Sequence, residues 1–130
     1  MKIKTIIIWA GSLGVISVAT GALGAHALKP LLTDESLQSF LTGSRYNMYH
    51  AIALISMIAL SNHISFKWFK VASLCFVIGT CLFSGSIYLL ATSSITGLNL
   101  NSILGPITPI GGLILIWGWV SIVIGSIQRK

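Results

Sequence analysis

The stretch Ile107 to Ile127, ITPIGGLILIWGWVSIVIGSI, decides how the rest of the chain is read, because it runs for a membrane's width without a single charge. A helix rises about 1.5 Å per residue, and roughly 20 apolar residues cross a hydrocarbon core about 30 Å thick. Working outward, three further apolar runs appear, so spans are expected at 5–27, 46–64, 68–91 and 107–127. The second is short in apolar residues, Tyr46 to Ser61, and has to borrow a turn from its flanks or thin the bilayer. The runs are continuous rather than alternating, and a membrane barrel needs many more segments, which excludes strands as the spanning elements. The expected fold class is therefore an all-α membrane protein, an antiparallel bundle of four transmembrane helices in one domain over 1–130.

Composition agrees. The chain is 55% hydrophobic and 8% charged, against roughly 25% charged in soluble domains. Its net charge of +6 would suggest nucleic acid but for where the basic residues sit. Lys2 and Lys4 precede the first run, Lys67 and Lys70 separate the second from the third, and Arg129 and Lys130 follow the fourth. Basic residues gather on the cytoplasmic side of a membrane protein, so both termini and the second connection are expected inside, with the lipid bilayer as partner and no nucleic acid. The first connection carries Lys29, Asp34, Glu35 and Arg45 and the third carries no charge, so both are expected outside. Trp9, Trp68 and Tyr88 fall near run ends, where interfacial anchors belong; Trp117 and Trp119 lie deeper. Met1 to Ala27 exceeds the usual signal-peptide core, which favours a retained first span over a cleaved leader. Cys75 and Cys81, six apart on one helix, are off a shared face and read as small packing residues.

Inside lipid, helices associate through close backbone approach, which favours small residues at contacts. Ala10, Gly14, Ser17, Gly21 and Gly24 are spaced four, three, four and three, one stripe of a helix. Gly111, Gly118 and Gly125 recur at seven-residue intervals with Ser121 on the same face. Both stripes are expected to be packing seams, within the chain or against another copy, and a homo-oligomer is expected. In the first connection, Thr33-Asp34-Glu35 is a helix start, and Leu37, Phe40 and Leu41 give a short amphipathic helix on the outer surface. The third connection is turn-rich, with Gly97, Asn99, Asn101, Gly105 and Pro106.

All four runs offer polar groups near one depth: His26, Arg45, Tyr46, Asn47 and His50, then Ser84, Ser86 and Tyr88, then Thr108. Polar side chains in a bilayer are costly unless paired, so these residues are expected to form an outer-leaflet cluster. Three readings stay open: a hydrogen-bonded network fixing helix register; a binding or proton-handling pocket, taking a small ligand or a lipid; and a haem or metal site using His26 and His50. His63 is expected to be solvated. No nucleophile elbow, phosphate loop, dinucleotide fingerprint or zinc motif occurs. Two adjacent carboxylates do not make an acid-base pair, so no catalytic residue, metal or cofactor is assigned.

Four ordered motifs carry a resemblance over nearly the whole chain: TGALGAHALK (Thr20–Lys29), YNMYHAIAL (Tyr46–Leu54), FSGSIYLLA (Phe83–Ala91), and LGPITPIGGL (Leu104–Leu113) with Trp117-Gly118-Trp119. They resemble the small inner-membrane proteins of the YgdD type, the domain-of-unknown-function family numbered four hundred and twenty-three. His26, His50, Ser84, Tyr88, Thr108 and Pro109 match the family pattern, whereas Leu23 stands for its usual aromatic and Asn47 for its usual glutamine. The resemblance implies a multi-pass bacterial inner-membrane protein of unestablished activity and supplies no substrate. The leading expectation is a membrane binding, scaffold or small-solute transport component.

Overall fold

The computed structural model describes residues 1–129, and every regular element among them is helical. The first helix, α1 (Ile3–Ala25), contains no proline, and its N–H groups are consumed without interruption until His26. There the Leu28 N–H returns to the Leu23 carbonyl at 2.9 Å and closes the helix before Pro30.

Helix α2 (Asp34–Ala59) starts where the Thr33 hydroxyl accepts the Ser36 N–H at 3.2 Å, with Asp34 and Glu35 on the first turn. The sequence suggested a short surface helix leading into a second span at 46–64; the two are instead one unbroken helix. Nothing between Thr42 and Arg45 stops it, since the region lacks proline and its one glycine, Gly43, packs against the Tyr88 ring. The helix tightens into a single 3-10 turn at Leu60–Asn62.

Helix α3 (Phe66–Ala91) is followed by the single turn α4 (Ser93–Thr96), which Gly97 ends in a left-handed conformation at φ 70°. That conformation carries no penalty for glycine. Helix α5 (Asn101–Ile127) begins earlier than the apolar run from Ile107 and carries Pro106 and Pro109 within it. The third connection is therefore shorter than its turn-rich composition suggested. Each proline removes one bond of the helical ladder, to the carbonyls of Ser102 and Gly105.

Helices α1, α3 and α5 are long and apolar enough to cross a membrane. Helix α2 is as long, but its first half carries Asp34, Glu35, Gln38 and Arg45. The extensive helix contacts join α1 to α2, α2 to α3, and α3 to α5. Each pair is antiparallel: Gly24 lies on Leu41, Gly43 on Tyr88, and Gly111 on Phe83. Ile6, Ala10 and Leu13 of α1, Leu54 and Met57 of α2, Phe76 of α3 and Leu115 of α5 form the common core. The outward faces are apolar as well; Val15 is 70% exposed and Leu113 66%. Soluble monomers rarely leave so much apolar surface uncovered, and lipid is the medium in which it carries no penalty.

On α5 the small-residue stripe lies against α3. A methyl group added at Gly111 would stand 2.5 Å from the Phe83 backbone nitrogen, and one at Gly118 would stand 2.8 Å from the Phe76 ring. One at Gly125 would meet Ile64 at 2.5 Å and Trp68 at 2.6 Å. On α1 the contact line runs through Ile6, Ala10, Leu13, Ser17 and Gly24, against α2 of the same chain. Gly21 adjoins it, facing the Ser44 hydroxyl. Gly14 does not belong to this line: no atom would come within 4 Å of a methyl group placed there. Leu13 takes that level of the interface and turns Gly14 outward, into a shallow depression with Gly11, Val18 and Met48.

Candidate functional site

The polar residues picked out in the sequence fall into four places rather than one. His26 and Arg45 are exposed, the first beyond the end of α1 and the second on the outer face of α2. Between α1, α2 and α3, the Tyr88 hydroxyl lies 3.1 Å from the Thr20 hydroxyl and accepts an N–H from the Asn47 amide at 3.0 Å. One phenol thereby ties three helices. Phe40 packs on its ring at 4.9 Å between centroids, which holds the phenol in place. Beside it, Ser17 donates to the Ser44 carbonyl and Ser44 donates to the Ser17 carbonyl, both at 2.8 Å. This reciprocal pair fastens α1 to α2 with no polar atom to spare.

Between α3 and α5, Ser86 and Thr108 share a hydrogen bond of 2.7 Å, and each hydroxyl also has a carbonyl of its own helix within reach, Phe83 at 3.0 Å and Leu104 at 3.4 Å. Tyr46 is half-buried and stacks on Phe83 with centroids 4.6 Å apart.

The fourth place is nearer the middle of the helices. His50 is 3% exposed, with Nδ1 at 2.8 Å from the Tyr46 carbonyl. A carbonyl can only accept, so Nδ1 carries the proton and Nε2 presents a lone pair in the neutral ring. Among the described residues that Nε2 has no partner, and neither do the hydroxyls of Thr80 and Ser84, which are 0% and 1% exposed. Thr80 and Ser84 lie on the same stripe of α3 as Ile87, which abuts Gly43 of α2. Continuing the antiparallel register from Gly43 and Tyr88, through Tyr46 and Phe83, brings Thr80 level with His50. Phe76 and Trp119 close the histidine off on the other side, at 5.4 and 6.3 Å between centroids.

This geometry separates the two histidines. Gly24 lies level with Leu41, and His50 is nine residues farther along α2, about 14 Å at 1.5 Å per residue; His26 lies on the far side of Gly24. Both nitrogens of a shared metal must come within about 2 Å of it, so His26 and His50 do not form one ligand set. Among the described residues no group of three or more His, Cys, Asp or Glu side chains gathers in metal-binding proximity. Cys75 and Cys81 are free thiols. Thr20, Ser44 and Thr80 were not singled out in the sequence. A threonine or serine inside a helix usually bonds its own preceding turn, so its type alone gives no sign of a partner on another helix.

The family described as "Protein of unknown function (DUF423)" matches residues 20–112, from the threonine of the Tyr88 knot to the second glycine after Pro109. This chain is a member of the DUF423 family. The UPF0382 membrane protein YwdK of Bacillus subtilis is 36% identical over 96% of this chain and 98% of its own length. A UPF0382 membrane protein of Staphylococcus haemolyticus is 37% identical over 96% of this chain and 97% of its own. The UPF0382 inner membrane protein YgdD of Escherichia coli is 34% identical over 100% of this chain and 95% of its own. No solved structure matches the chain. The matched segment thus covers all nine polar residues picked out in the sequence, and of the reciprocal serine pair Ser44 but not Ser17.

Proposed function

We propose that this DUF423 protein is a four-span scaffold or binding component of the bacterial inner membrane, with both termini cytoplasmic, and that it opens no path for a solute. The carrying observation is the knot at Tyr88: the outer polar groups bond one another across three helices instead of converging on a cavity. The four-span reading draws support from the way α2 runs antiparallel beside both α1 and α3, from Gly24 against Leu41 to Gly43 against Tyr88. On its packed face Ser44 and Asn47 bond Ser17 of α1 and Tyr88 of α3, while Asp34, Glu35, Gln38 and Arg45 are exposed. Inner-membrane location follows from the name of the Escherichia coli relative, and inward termini follow from Lys2, Lys4, Lys67, Lys70 and Arg129. Its broad apolar outer faces suit lateral contact with lipid or with other membrane proteins, a second copy among them.

Ser84→Cys in a Cys75→Ser, Cys81→Ser background tests this reading at the unpaired hydroxyl nearest the knot. The scaffold predicts that a membrane-impermeant methanethiosulfonate reagent leaves position 84 unmodified from either side. Rapid labelling from one side would reveal a water-filled path to the His50 region and replace the scaffold with a transport role.

A further inference from the structure

At the end of the molecule where α1 and α3 begin, a cleft of about 690 Å3 opens between the start of α1, the segment after α2 and the start of α3. Its rim carries Lys2, Lys70 and Arg129, and its wall carries Ile3, Phe66 and Phe69. The Lys70 ammonium lies over the Phe66 ring, 4.3 Å from its centroid, so the cation is held at the mouth by an aromatic face and not by an acid. The only acidic side chains in the chain, Asp34 and Glu35, are at the start of α2, at the opposite end of the antiparallel helices. Two helix N-termini reinforce the charge. Neither α1 nor α3 has a side-chain cap or an acid in its first turn, in contrast to α2. Their amide groups add partial positive charge in the same place.

A cluster of cations above an apolar wall, at the depth where headgroups meet acyl chains, is complementary to one kind of molecule. We propose that this cleft binds an anionic phospholipid, its phosphate held by Lys2, Lys70 and Arg129 and the start of its acyl chain lying on Ile3, Phe66 and Phe69. The proposal uses the reading of α1 and α3 as spans and is independent of the scaffold role. General attraction of basic residues to an acidic membrane is diffuse and depends on how many charges are present. A built site depends on which ones.

The test measures thermal unfolding of the full chain in a neutral detergent as phosphatidylglycerol is titrated in, with phosphatidylcholine and inorganic phosphate as the other arms. Phosphatidylglycerol alone is expected to raise the melting temperature saturably. In the triple variant Lys2→Gln, Lys70→Gln, Arg129→Gln the apparent affinity is expected to fall about tenfold or more. The triple variant Lys4→Gln, Lys29→Gln, Lys67→Gln removes as many charges outside the cleft lining and is expected to lose less than about threefold. Equal losses in the two variants would reduce the effect to diffuse attraction and overturn the site. Equal protection by phosphatidylcholine would also overturn it, and so would protection by inorganic phosphate alone, which would mark a small-anion site. Each of these failures leaves the labelling result at position 84 unaffected.

Discussion

Tyr88 concentrates more of the structure in one atom than any other residue described. Its hydroxyl meets Thr20 on α1 and Asn47 on α2 while its ring fills the space that Gly43 leaves open. Interhelical hydrogen bonds in membranes average about 0.6 kcal/mol, so Tyr88→Phe is expected to cost about 1 kcal/mol through the two bonds it removes. A lowered melting temperature in detergent checks this, and an unchanged one would mean that the hydroxyl contributes nothing to holding α1 and α2 in place. Tyr88, Asn47 and Thr108 could be picked out from sequence because polar types are rare in a span. Thr20 and Thr80 could not, because the Thr20 hydroxyl also reaches the Ile16 carbonyl of its own helix, at 2.8 Å. Only the fold brings it to Tyr88.

At the scale of the element, small-residue spacing identified the right faces, except that on α1 Leu13 rather than Gly14 lies on the contact line. The heptad of Gly111, Gly118 and Gly125 lies along α3, with backbone against backbone at Gly111. Gly111→Ala is expected to force α5 outward and to cost about 1 to 3 kcal/mol, as overpacking does. Gly14→Ala meets nothing within 4 Å and is expected to be neutral, or stabilising by up to about 1 kcal/mol, through helix propensity. Measured side by side by thermal unfolding, equal losses in the two variants would refute this assignment of the seams. The contact line of α1 passes through Leu13 because α2 offers Ala51 and Leu54 to a large side chain at that depth. Nothing local to α1 carries that information. The merging of the expected surface helix with the second span has a similar origin. The polar residues from Gln38 to Arg45 look like a connection until Ser44 is found bonded to Ser17 of α1, with Asn47, one turn farther along α2, bonded to Tyr88 of α3.

For the whole molecule, the helices follow one another as neighbours, α1 on α2 on α3 on α5, with charge segregated between the two ends. Orientation is then a prediction about two positions. In a cysteine-free background, Lys67→Cys is expected to react with an impermeant thiol reagent only after the cells are permeabilised, and Asp34→Cys in intact spheroplasts. The reverse pattern would invert the protein in the membrane.

Composition and the uncharged run from Ile107 to Ile127 were enough to establish an all-helical membrane chain, because the cost of burying charge and unpaired backbone in hydrocarbon acts on each segment separately. The tertiary structure alone decided which polar groups meet. One expected level of nine residues became a knot at Tyr88, a Ser86–Thr108 bridge and a buried His50 at the level of Thr80, with His26 and Arg45 outside them all, and the Ser17–Ser44 pair joined from beyond the nine. Depth along a helix can be estimated by counting residues. Which face turns toward which neighbour depends on packing between segments far apart in the chain, and no single span encodes it.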